Sequence, residues 1–107
     1  MLFRSKTGLG TWTLSGGNSY TGATIISAGT LKLSGSGNIA SSASVADNGT
    51  LDISLTTAGA TVNTLTGTGG VTLGSKTLTL SGTSTYDGVI SGTGGITLNE
   101  KIGRAHV

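Results

Sequence analysis

The 107-residue chain has no cysteine, no proline and one histidine, and only 9% of its residues are charged. Without cysteine there are no disulfides to offset a small core, the usual device of small secreted domains, and no thiolate nucleophile. The lack of proline and the low charge argue against a disordered chain, which usually carries more of both. Aromatic residues make up 4%. No apolar run approaches the roughly 18 residues of a membrane helix. Met1–Gly10 lacks the apolar core of about 7–15 residues that marks a signal peptide. If the protein is exported, the signal is expected outside this stretch.

The charge that is present sits largely at the ends. Met1-Leu-Phe-Arg-Ser5 can be encoded by a DNA string whose reverse complement, read on, encodes Lys101-Ile-Gly-Arg-Ala-His-Val107. That string resembles a sequencing-library adapter. Residues 1–5 and 101–107 are therefore expected to be adapter-derived, to pack poorly and to lack the pattern of the rest, leaving 6–100 as the repeat region. The formal charge of +2 then loses Arg4, Lys101 and Arg104. Lys6, Lys32 and Lys76 remain against Asp47, Asp52, Asp87 and Glu100, a net charge of −1. The basic balance that would suggest nucleic acid disappears, and the one histidine, His106, goes with it.

Gly, Thr and Ser supply half of the chain, yet 35% of it is apolar and the apolar residues recur at regular places. One short unit appears as Gly10-Thr-Trp-Thr-Leu14, Gly29-Thr-Leu-Lys-Leu33, Gly49-Thr-Leu-Asp-Ile53 and Gly69-Gly-Val-Thr-Leu73, at steps of 19, 20 and 20 residues. It returns as Lys76-Thr-Leu-Thr-Leu80 and Gly94-Gly-Ile-Thr-Leu98, the step from Gly69 to Gly94 being 25. Alternation with period two reads as a strand with one buried face. Corners such as Asp47-Asn48-Gly49 bound these strands with residues that tolerate a left-handed backbone. A period near 20 fits one coil of a β-helix with about three short strands. A hairpin sandwich would show turns every 8–12 residues or so without the same strand returning in phase. The expected fold is all-β, a right-handed parallel β-helix of about four to five coils, roughly 20–25 Å tall at about 4.8 Å per coil. Ile39 and Val45, then Val62 and Leu65, are the expected core residues of the other faces.

Gly8 to Leu33, reading GLGTWTLSGGNSYTGATIISAGTLKL, resembles the autotransporter-associated β-strand repeat, approximately G-x-G-T-L-T-L-S-G-x-N-T-Y-T-G-x-T-x-V-x-x-G-T-L-x-L. Trp12 stands for the usual Leu, Ser19 for Thr, and Ile26 near the usual Val. Tyr86 to Leu98 looks like the lead into another such repeat, while residues 34–65 match only at Gly49–Ile53. The resemblance implies a large, surface-displayed passenger of a Gram-negative bacterium, continuous with further coils and with a C-terminal outer-membrane barrel. It implies a stalk that supports adhesion or display. A host-surface or glycan ligand is open, and neither a membrane-embedded segment nor a nucleic-acid partner is expected.

No active site is legible. Glycoside cleavage needs two carboxyls about 5–9.5 Å apart, but Asp47, Asp52 and Asp87 read as corner and surface acids. The calcium-binding nonapeptide pattern fails for want of Asp in the Gly-rich stretches. Gly67-Thr-Gly-Gly70 lacks the helix and the Lys-Ser/Thr of a phosphate loop. Thr-x-Thr pairs at Thr11/Thr13, Thr64/Thr66, Thr66/Thr68, Thr77/Thr79 and Thr83/Thr85 suggest an ice-binding ladder, but they are unevenly spaced, and Lys32 and Asp52 interrupt the likeliest column. Trp12 occupies a core position, and Tyr20 and Tyr86 read as corner residues. No catalytic, cofactor-binding or metal residue is assigned. The alternatives are a β-helical carbohydrate-active enzyme, marked by acids and bases converging in one groove, and an ice-binding solenoid.

A solenoid with open ends exposes unpaired strand edges. The isolated chain is therefore expected to melt below about 65 °C, the upper end for ordinary domains, or to self-associate. Thermal melting with sedimentation checks this; a monomer melting cooperatively above that temperature contradicts it.

Overall fold

Short runs of Thr, Val, Ile and Leu between glycine-bearing corners form strands and nothing longer, because each run is only two to seven residues before the chain must turn. A computed structural model describes residues 4–16, 22–39, 42, 44–81 and 85–98. The described residues form strands and turns with no helix. The lowest coil has β1 (Arg4–Lys6) and β2 (Thr11–Leu14), and the second has β3 (Thr24–Ile26) and β4 (Thr30–Gly35). The third adds a further strand: β5 (Ser44–Asp47), β6 (Thr50–Thr56) and β7 (Ala60–Val62). The fourth has β8 (Thr64–Gly67), β9 (Gly70–Gly74) and β10 (Thr77–Leu80), and the fifth β11 (Thr85–Tyr86), β12 (Val89–Gly92) and β13 (Gly95–Leu98).

Each strand pairs with its counterpart one coil away, and every pairing is parallel. Parallel neighbours cannot be joined by a tight hairpin and need a crossover of a dozen or more residues. Here the crossover is the rest of the coil. Three sheets result: β1-β3-β5-β8-β11, β2-β4-β6-β9-β12 and β7-β10-β13. The chain is thus a parallel β-solenoid of about four turns, with extents of 27 × 25 × 24 Å.

The second sheet carries the expected register. Trp12, Leu31, Leu51, Val71 and Ile90 form one column, each the partner of the next. Leu31, Leu33, Leu51, Ile53, Val71 and Leu73 are buried, as are Ile39, Val45, Val62 and Leu65 on the other faces. At roughly 1.5–3 kcal/mol per buried aliphatic side chain, this axial column is the main favourable term. Trp12 and Leu14 pack half-buried against its lower end.

One finding corrects the linear reading. Lys76–Leu80 and Gly94–Leu98 are not further copies of the second-sheet strand; Thr77 to Leu80 pair with Gly95 to Leu98 in the third sheet. The second-sheet strand above β9 is β12, with Val89 opposite Gly70. The 25-residue step is therefore one coil plus a change of face. All three faces use the same inward–outward alternation, so a matching motif does not say which face it belongs to. At the start, Arg4 and Ser5 pair with Thr24 and Ile25. Ladder hydrogen bonds use backbone alone and do not depend on the side chains. Residues 1–3 and 101–107 lie outside the described residues.

Strand β6 also departs from simple alternation. Lys32 pairs with Asp52, but Ser34 pairs with Leu55, so β6 holds one extra residue there. Such a bulge turns the following side chains over. Leu55 points outward at 58% exposure, and Thr56 is buried in its place. The Thr56 hydroxyl donates to Ile53 O at 2.7 Å and accepts from Gly59 N at 3.1 Å, which satisfies it inside the corner.

Truncation separates this register from plain alternation. Ile53→Ala should cost about 2–5 kcal/mol, and Leu55→Ala no more than about 0.5 kcal/mol, in urea unfolding. Equal losses at the two positions would remove the bulge.

Candidate functional site

The acids that any hydrolytic chemistry would need are dispersed by the fold. Asp87 is exposed in the corner after β11. Asp52 lies on the outer side of the second sheet, in the column Thr13–Lys32–Asp52–Thr72–Ser91. Lys32 and Asp52 are direct neighbours, as the 20-residue spacing requires. The Asp52 carboxylate nevertheless turns along its own strand. Its Oδ1 accepts from Ser54 N at 2.9 Å and from Ser54 Oγ at 2.7 Å. A bulge leaves backbone groups out of the ladder, and Asp52 satisfies the Ser54 amide there.

Asp47 corrects the sequence reading, which placed it among surface acids. It does end a strand beside the Asn48-Gly49 corner, but it is fully buried. The cause is alternation: Val45 and Asp47 share the inward side of β5. Ile26 is its partner in the coil below. Above, Ala46 pairs with Thr66, which brings Gly67 next to Asp47, and Gly67 in turn pairs with Tyr86. Glycine leaves that level of the column empty. The Tyr86 hydroxyl reaches across it and donates to Asp47 Oδ2 at 2.8 Å, while Oδ1 has no hydrogen-bond partner. Burial pushes the Asp47 pKa up to about 7; the Tyr86 hydroxyl and the Gly49 amide pull the other way without prevailing. Burial, then the bond to Asp47 and its charge, raise the Tyr86 phenol. Tyr86 is thus an interior residue that spans two coil steps; Tyr20 lies outside the described residues.

Polar side chains also stack at the corners. Asn63 Nδ2 donates to Ser42 O at 2.7 Å, and Ser81 Oγ donates to Asn63 Oδ1 at 2.6 Å, a seam that links three coils. Asn48 Oδ1 accepts from Thr68 N at 3.1 Å and Thr68 Oγ1 at 3.3 Å. These are register devices, bonds made between neighbouring coils. The spacing of Asp47, Gly67 and Tyr86, 20 and then 19 residues, was the one available signal for the interior column.

The described surface has one groove of note, of about 510 Å³, bordered by Ser36, Asn38, Thr57, Thr61, Thr77 and Thr79 with small residues between them. Its lining has no acid, base or aromatic ring. The Thr pairs are split among the sheets, Thr11/Thr13 on β2, Thr64/Thr66 on β8 and Thr77/Thr79 on β10, so they do not build a two-column threonine face; Thr83 lies outside the described residues. Among the described residues no three His, Cys, Asp or Glu side chains gather as metal ligands.

Residues 5–33 match the family model of the passenger-associated-transport-repeat, which agrees with an autotransporter passenger β-strand repeat. The matched segment runs from β1 into β4, that is, through one coil and into the next. That family is a structural passenger repeat and not an enzyme family. Neither the curated proteins nor the solved structures give a match.

Gly67 has φ +118°, and a Cβ there would strike the Asp47 backbone. Gly67→Ala should therefore cost at least about 1–3 kcal/mol, read as a lower urea midpoint; an unchanged midpoint would contradict the column.

Proposed function

We propose that the chain is a stalk segment of a surface-displayed autotransporter passenger, a rigid spacer supporting adhesion or the display of another domain. The observation that carries this reading is that residues 5–33, which match the passenger repeat, lie in register with coils that continue the same solenoid to Leu98. Each coil adds about 4.8 Å, so further coils would lengthen the rod without a new core design.

The physics suits delivery through a pore. Each coil contacts chiefly its neighbours, so structure can grow one coil at a time from a folded end. The absence of cysteine removes premature disulfides that would obstruct threading. In this reading the partners are further coils and a C-terminal outer-membrane barrel in the same polypeptide, and the location is the Gram-negative cell surface. The carbohydrate-active alternative is disfavoured by the dispersal of Asp47, Asp52 and Asp87 to interior, outer sheet and corner.

Two experiments test the proposal. The reading frame recovered beyond this stretch should continue with solenoid repeats and close with a barrel; a frame that closes on coils with converging acids and bases contradicts it. Placed between an export signal and an outer-membrane barrel, the chain should carry an N-terminal epitope to the surface, where protease removes it from intact cells. An epitope that stays protected, while an established passenger in the same fusion is cleaved, counts against the stalk reading.

A further inference from the structure

We propose that the Asp47–Gly67–Tyr86 column is a pH-sensitive latch that holds the third to fifth coils together when Asp47 is protonated and loosens them when it ionises. Asp47 is fully buried, one carboxyl oxygen has no partner, and the other has a single hydroxyl donor contributed from two coils above. A buried carboxylate without a cation is costly, and the usual relief is to remain neutral.

Among the described residues, the groups that face Asp47 supply no such cation. In its own column, Ile26 lies below, Gly67 beside it, and Tyr86 above. Lys6 belongs to the same column two coils down, with Ile26 between. Its ammonium is committed to Thr7 O and Gly8 O, both at 2.8 Å, and to Ala28 O at 3.5 Å. The inward columns of the second and third sheets are apolar: Leu31, Leu51 and Val71 on one, Leu78, Leu80 and Val62 on the other. Asp52 and Asp87 lie on the outside.

Ionisation therefore leaves a buried anion with no cation beside it, favoured only by the Tyr86 phenol and the Gly49 amide. Water can reach it most directly if the third, fourth and fifth coils part from one another, which breaks the Tyr86 bond in the same motion. The backbone bonds Gly69 N to Asp47 O and Asp87 N to Gly67 O cross those two seams and report on them.

The sign follows from linkage. The folded-state pKa of Asp47, about 7, lies above the ordinary 3.8, so the folded state binds the extra proton between those values. Its contribution is fully present below about pH 3.8, falls as pH rises, and is gone above about pH 7.

The test uses the full chain in urea unfolding from about pH 4.5 to 8.5. The folding constant should fall by up to about tenfold per pH unit toward neutrality, then level off. Asp47→Asn, which keeps the shape and removes the titration, should abolish that slope. Tyr86→Phe removes a donor that favours the anion, so its fall should extend to higher pH. Hydrogen exchange at Gly69 and Asp87, corrected for intrinsic rate, should quicken toward neutrality in the wild type and not in Asp47→Asn. A flat wild-type profile, or an equal slope in Asp47→Asn, overturns the latch. Should Asp47→Asn fail to fold, the carboxyl ¹³C signal of Asp47 in the wild type decides: titration near neutrality supports the latch, and a midpoint below about 5 overturns it.

Discussion

One coil of this chain cannot bury its own apolar side chains; it needs another coil in the same phase above or below. Everything else depends on that constraint. A strand of three or four residues has too few ladder bonds and too little apolar area to persist alone. Stacked in register, the same strand joins a sheet, and its inward side chains join an axial column. Shifting one strand by a single residue would expose Leu51 and Ile53 and bury Asp52, an unpaired charge. Register here is specified by what may not go inside as much as by what must.

The polar residues refine that register. The Asn63 seam and the Asn48–Thr68 bonds join coils at their corners, where the strand ladders end. Asp52 serves its own bulge through Ser54 instead of closing an ion pair with Lys32. This is reasonable energetically. An exposed ion pair contributes about 0–1 kcal/mol, whereas an unpaired bulge amide at a half-buried position costs more to leave unmade. Asp47 departs from the interior rule, admitted because Gly67 leaves room that Tyr86 fills.

The coil period, the second-sheet column and the core residues on the other faces were legible in the sequence, because period-two alternation that returns in phase every 19–20 residues fits few folds besides a stack of coils. The face of a given strand was not. Gly69-Gly-Val-Thr-Leu73 and Gly94-Gly-Ile-Thr-Leu98 share a pattern yet occupy different sheets, since the pattern encodes strand, not position around the coil. Leu55 was illegible for a related reason: one extra residue in β6 inverts the alternation, and only the neighbouring coil reveals it. Asp47 looked like an ordinary corner acid because its environment is set by Gly67 and Tyr86, one and two coils away.

The central claim is parallel, in-register stacking of segments 20 residues apart, and the absence of native cysteine makes it directly measurable. With Lys32→Cys and Asp52→Cys in one chain, the two side chains project from the same side of adjacent parallel strands. Strand spacing of about 4.8 Å lies within the range a disulfide spans. Mild oxidation of the folded monomer should close this bridge within the chain, and Lys32→Cys with Ser91→Cys, three coils apart in the same column, should not close. Failure of the first pair, or equal closure of both, would contradict the solenoid.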